Sequence, residues 1–101
     1  LPDYVPLESY VELNACDEAE AAGWFVEKVS WVRKRNAVDR LFIKAGRHVW
    51  IEFKRSGKKP RIGQLRDHER LRRAGAEVHW VDNLTDARRI LGLPTPPGGP
   101  F

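Results

Sequence analysis

One short run constrains this chain more than any other: Val49-Trp50-Ile51-Glu52-Phe53-Lys54. Its β-branched and aromatic residues favour a strand, yet it carries two charges, and burying unpaired charge is costly. Strand side chains alternate, so Val49, Ile51 and Phe53 project from one face while Glu52 and Lys54 project from the other, together with Trp50. Asp39 heads a second apolar run, Arg40-Leu41-Phe42-Ile43. The short connection between the two runs, Ala45-Gly46-Arg47, predicts an antiparallel hairpin. A carboxylate from one strand and a carboxylate plus an ammonium from its neighbour can therefore meet at one point.

The remaining elements build a layer around that hairpin. Leu7 to Ala22 reads as a helix, with Leu7, Tyr10, Val11, Asn14 and Ala15 broadly on one face and Gly23 as its stop. Trp24 to Trp31 reads as a strand, and Arg33-Lys34-Arg35-Asn36 as a polar break. The hairpin strands run from Asp39 to Lys44 and from His48 to Lys54. Ile62 to Ala74 is a second helix, with Ile62, Leu65, Leu71 and Ala74 expected to face the core and Gly75 to end it. Glu77 to Asp82 is a fourth strand, and Leu84 to Leu91 a last short helix capped by Thr85 or Asn83. The fold class is α/β: a central mixed sheet flanked by helices. Residues 1–93 are expected to form one domain and 94–101 a Pro/Gly-rich flexible tail.

At 101 residues the chain is one domain, or a fragment of something larger. No apolar stretch approaches the ~20 residues of a membrane helix, so no membrane partner is expected. The lone Cys16 rules out an internal disulfide, suits a reducing compartment and reads as a small core residue. The net charge of +4 hides an asymmetry: Leu1 to Ala22 holds six acidic residues and no Lys or Arg, whereas Lys54 to Arg73 holds nine basic residues against Asp67 and Glu69. The basic run begins with a Gly/Pro-punctuated loop beside Glu52 and Lys54. Arg55, Lys58, Lys59 and Arg61, with Arg35 from the polar break, are candidate contacts to a phosphate backbone.

Phosphodiester hydrolysis is slow without a cation that orients the phosphate, neutralises developing charge and lowers the pKa of water. Mg2+ prefers oxygen ligands and keeps several waters. Asp39 and Glu52 could supply the carboxylates and the Phe53 backbone carbonyl a third oxygen. Lys54 could position the attacking water or stabilise charge on the phosphate. His48, His68 and His79 form no ligand cluster by spacing. His68 lies one turn beyond Gln64 and could approach a substrate. Most of Trp24, Trp31, Trp50 and Trp80 are core candidates, with Trp50 placed to line the cleft and Trp31 to stack on nucleic acid or form an interface.

The pattern Asn36-Ala37-Val38-Asp39, Ile51-Glu52-Phe53-Lys54 and Gln64 resembles the PD-(D/E)XK nuclease superfamily. It is most similar to the virus-type replication-repair nuclease (VRR-NUC) domain, over about residues 8 to 92. The Lys58-Lys59-Pro60-Arg61 loop, Gln64 near a helix start and the Gly75-x-x-Val78 spacing strengthen the likeness. It implies a restriction-endonuclease-like αβββαβ core, here with a short C-terminal helix. It implies that Asp39 and Glu52 are metal ligands, Lys54 the catalytic lysine and Gln64 a glutamine pointing at the site. A first-helix glutamate completes the set; the spacing favours Glu12, with Glu8 as the alternative. The family usually has Gly-x-Pro-Asp where this chain has Asn36-Ala37-Val38-Asp39. Asn tolerates positive φ, so Asn36 can stand in for Gly, while Val38 lacks the fixed φ of Pro.

The resemblance further implies a Mg2+- or Mn2+-dependent deoxyribonuclease acting in DNA repair. It would cleave structured or branched DNA, as a Holliday-junction resolvase does, and work as a homodimer. Its expected location is the cytoplasm of a bacterial or phage-infected cell. The rival expectation is a non-catalytic DNA-binding or dimerisation module of a larger repair or replication protein.

Overall fold

A computed structural model describes residues 7–35 and 37–95. Asn36, expected to replace a glycine, and most of the Pro/Gly tail lie outside the described residues. The elements run α1 (Glu8–Ala21), β1 (Phe25–Lys28), β2 (Arg40–Lys44), β3 (Arg47–Phe53), α2 (Ile62–Arg73), β4 (Glu77–Val81) and α3 (Leu84–Leu91). The four strands form one mixed sheet in the order β1-β2-β3-β4. The first two pairings are antiparallel and β3 to β4 is parallel, so α2 is the crossover helix of a βαβ unit.

The hairpin is tighter than its sequence suggests. Lys44 pairs with Arg47, leaving a two-residue turn in which Ala45 and Gly46 have φ of +50° and +81°. Positive φ at both positions is the primed turn that matches strand twist. Gly46 adopts it freely, but Ala45 does so against its Cβ.

One face of the sheet carries the main core. Val49, Ile51 and Phe53 of β3 and Phe42 of β2 pack with Val11, Ala15, Cys16 and Ala19 of α1 and Ala87 and Leu91 of α3. The alternation read from β3 holds: these residues are buried, while Trp50 and Glu52 between them are half-buried. On α1, Leu7 and Tyr10 turn outward instead, and Cys16 and Ala19 complete the inward stripe. Near-buried Arg88 binds Glu18 through Nε at 2.8 Å and Nη2 at 2.7 Å, tying α3 to α1. Asn83 caps α3 by accepting from the Asp86 N–H at 2.8 Å.

The opposite face is covered by α2 and by the chain between β1 and β2. Here two expectations fail. The first strand ends at Lys28 rather than Trp31. Trp31 leaves the sheet, donates its indole N–H to the Val38 carbonyl at 2.7 Å and rests on Trp50 with ring centroids 5.4 Å apart. It is a packing residue, and it shields Trp50.

The second failure concerns α2. Ile62, Leu65 and Ala74 are exposed, and Leu71 is half-buried. The buried residues are Gln64, Asp67 and His68. They follow an i, i+3, i+4 stripe, but a polar one, because α2 docks against a charged patch of the sheet rather than its apolar core.

Candidate active site

Glu52 is the centre of that charged patch. It lies on β3 with its side chain 13% exposed and is approached from three directions. Lys54 Nζ is 3.9 Å from Oε2. Gln64 Nε2 donates to the same oxygen at 3.4 Å. His68 Nε2 lies 3.5 Å from Oε1. The Lys54 backbone N–H donates to the Val81 carbonyl at 2.8 Å, so the ladder with β4 fixes where the lysine leaves the sheet.

Gln64 does two jobs. Its Oε1 accepts from the Arg61 backbone N–H at 2.9 Å, closing the first turn of α2, while its Nε2 faces Glu52. The two contacts are one geometry: capping the helix aims the amide at the carboxylate.

Asp39 ends the irregular segment before β2, half-buried, with Lys28 Nζ 3.9 Å from Oδ2. Burial pushes its carboxyl pKa up; Lys28 opposes this, Glu12 and Glu52 add to it, and Arg40 opposes it. Glu8 is also shifted up, first by burial, with Lys54 acting against it and Glu12, Glu52 and Asp39 acting with it. Asp39 and Glu8 thus share one electrostatic neighbourhood with Glu12, Glu52 and Lys54, in which the nearby carboxylates help raise the pKa of both. Glu12 is held in that group by Arg40, whose Nε donates to its Oε2 at 2.5 Å.

Every proposed phosphate-contacting residue, Arg35, Arg55, Lys58, Lys59 and Arg61, is exposed. The loop carrying four of them is shaped by a turn in which the Lys58 N–H donates to the Arg55 carbonyl at 2.9 Å. Gly57, at φ +84°, allows that turn, and its N–H is tied to Asp82 Oδ2 at 3.0 Å. The basic side chains therefore project from an anchored loop beside Glu52 and Lys54.

Among the described residues no three His, Cys, Asp or Glu side chains stand grouped so as to hold a metal ion by themselves. By its spacing from Gln64, His68 is expected to be able to approach substrate. Instead it is fully buried, behind Glu52. Asp67 is the residue the sequence reading missed: it is buried and accepts from Lys34 Nζ at 3.2 Å. The only signal for either was their shared spacing with Gln64 on α2.

No family profile matches the sequence, and no curated protein matches it. A solved structure described as a VRR_NUC domain does match, at 32% identity and a TM-score of 0.76, covering 84% of this chain and 94% of that one. Identity at that level over nearly the whole of the other domain, together with the αβββαβ order, identifies the family. The chain belongs to the VRR_NUC family, nuclease domains of the PD-(D/E)XK type with a restriction-endonuclease-like fold.

Proposed function

We propose that this domain is a divalent-cation-dependent endonuclease that hydrolyses DNA phosphodiester bonds, preferring structured or branched DNA and acting as a homodimer. The observation that carries the reading is the convergence on Glu52 of Lys54 and Gln64, inside a carboxylate neighbourhood shared with Asp39, Glu8 and Glu12. The donor set is all oxygen and strongly anionic, which fits Mg2+ or Mn2+. Asp39 and Glu52 would hold the cation with the Phe53 carbonyl, and Glu12 is the further first-helix candidate, already bound to Arg40 through one oxygen. A cation there supplies charge neutralisation at the phosphate and a lowered pKa for water.

The rest falls to the chain's own residues. Lys54 places a positive charge within reach of a phosphate oxygen and of an attacking water. Gln64 restrains Glu52. Lys58, Lys59, Arg55, Arg61 and Arg35 bind flanking phosphates. Support for a homodimer comes from apolar side chains left outward, Tyr10 and Leu13 on α1 with Leu7 just before it, and Ile62 and Leu65 on α2, side chains that association can cover.

The test is cleavage of linear, flap and four-way-junction DNAs with and without Mg2+ or Mn2+. Glu52→Ala and Lys54→Ala should each abolish cation-dependent cleavage while DNA binding persists. Unchanged cleavage in both removes the assigned site. Salt-sensitive binding with no cleavage by the wild type under either cation would make the domain a DNA-binding module instead.

A further inference from the structure

We propose that His68 is a positioning residue for Glu52: its Nε2–H donates to Glu52 Oε1 and fixes the carboxylate with Oε2 presented to Gln64, Lys54 and a divalent cation. The inference rests on the reading of Glu52 as a cation ligand and adds what holds that ligand in place.

Three observations carry it. His68 is 0% exposed, so it touches neither solvent nor substrate. Its Nε2 lies 3.5 Å from Oε1, and neither ring nitrogen nor Oε1 has a hydrogen-bond partner among the described residues. Buried polar atoms left unsatisfied are destabilising, and a closure of roughly 0.5 Å satisfies two of them with a single N–H···O bond. Finally, Gln64 and His68 stand one helical turn apart and address different oxygens of the same carboxylate, at 3.4 Å and 3.5 Å. One face of α2 thus grips both sides of Glu52, the arrangement expected of hydrogen-bonded carboxylates that ligate metals. An apolar side chain would fill the same space without these orphaned atoms.

The experiment measures Mn2+ binding by electron paramagnetic resonance on the purified full chain, without DNA. His68→Phe, which keeps a planar aromatic ring and loses the N–H, should weaken Mn2+ binding about 10- to 100-fold with the circular dichroism spectrum unchanged. His68→Gln, which restores a donor, should recover most of the loss. Wild-type affinity in His68→Phe overturns the proposal. Glu52→Gln separates the two levels: if it too binds Mn2+ like the wild type, the metal-site reading fails, whereas loss in Glu52→Gln alone refutes only the role of His68. Should His68→Phe fail to fold, long-range 1H–15N spectra of the wild type decide: a protonated Nε2 is expected, and a bare Nε2 with protonated Nδ1 overturns the proposal.

Discussion

The Glu12–Arg40 contact pins α1 to the strand that follows Asp39, and its strength can be worked out and tested. Arg40 Nε and Glu12 Oε2 are 2.5 Å apart, with the two side chains 17% and 14% exposed. Unit charges about 4 Å apart attract by about 4 kcal/mol at an effective dielectric of 20. Desolvation of both groups takes back part of that, and charge-assisted hydrogen bonds leave about 1.5–3 kcal/mol net. A domain of this size loses about 4–8 °C of Tm per kcal/mol. Glu12→Leu and Arg40→Leu should therefore each lower Tm by about 10 °C, because each strands a mostly buried charge. The double variant should recover at least half of the summed loss, since no charge is left uncompensated. Thermal and urea unfolding of the four proteins, followed by circular dichroism at pH 7, gives the coupling energy. Additivity within about 0.5 kcal/mol would mean that the two residues do not interact, and the account of α1 anchoring would fail. In cleavage assays Glu12→Gln should cost less than Glu52→Gln, because one Glu12 oxygen is already committed to Arg40.

Three further predictions concern the opposite end of the sheet and the basic loop. The Arg47 hydrogen bond, helped by His79, holds the Glu77 carboxyl down at about 2 against partial burial. A depressed carboxyl stabilises the fold above its unfolded pKa near 4.5, and that stability is lost as pH falls from there toward 2. Glu77 is a third exposed, so the effect is discounted to about 1 kcal/mol; the urea midpoints of wild type and Glu77→Gln should differ at pH 7 and converge near pH 2. Ala45→Asn should raise stability by about 0.5–1 kcal/mol, because Asn accepts the positive φ of the turn better than Ala; a lower Tm would contradict the turn assignment. Replacing Lys58 and Lys59 by Ser should reduce the slope of log DNA affinity against log salt by about 2, measured by fluorescence anisotropy, with single-turnover cleavage at saturating protein unchanged.

How much of this was legible depended on how local each signal is. The hairpin and the Glu52/Lys54 face follow from alternation over a few residues, which neighbouring elements cannot alter. Gln64 stood out only through the family resemblance; its capping of α2 and its contact with Glu52 needed the fold. The inward face of α2 was not legible: Ile62 and Leu65 carry the apolar signal, but the surface the helix meets is charged, and periodicity cannot tell which stripe finds its complement. Trp31 misled for a similar reason, since only the tertiary fold brings Trp50 beneath it. Glu12 was favoured over Glu8 only through the family resemblance, and its partner Arg40 lies 28 residues away.

The polar underside of α2 bears on the order in which this domain loosens. Apart from its backbone connections, α2 is fastened by polar side-chain contacts to the sheet and to the segment between β1 and β2, among them Gln64 to Glu52, Asp67 to Lys34, and Arg72 to the Val78 carbonyl at 2.8 Å. Such fastenings contribute less than the burial that secures α1 and α3, so α2 should open at a lower free energy than the global transition and exchange its amide hydrogens first. Whatever binds at Glu52 restrains the same contacts. Occupancy of the site and the order of the crossover helix are then a single equilibrium, and amide protection along residues 64–72 would report ligand binding without any measurement of cleavage.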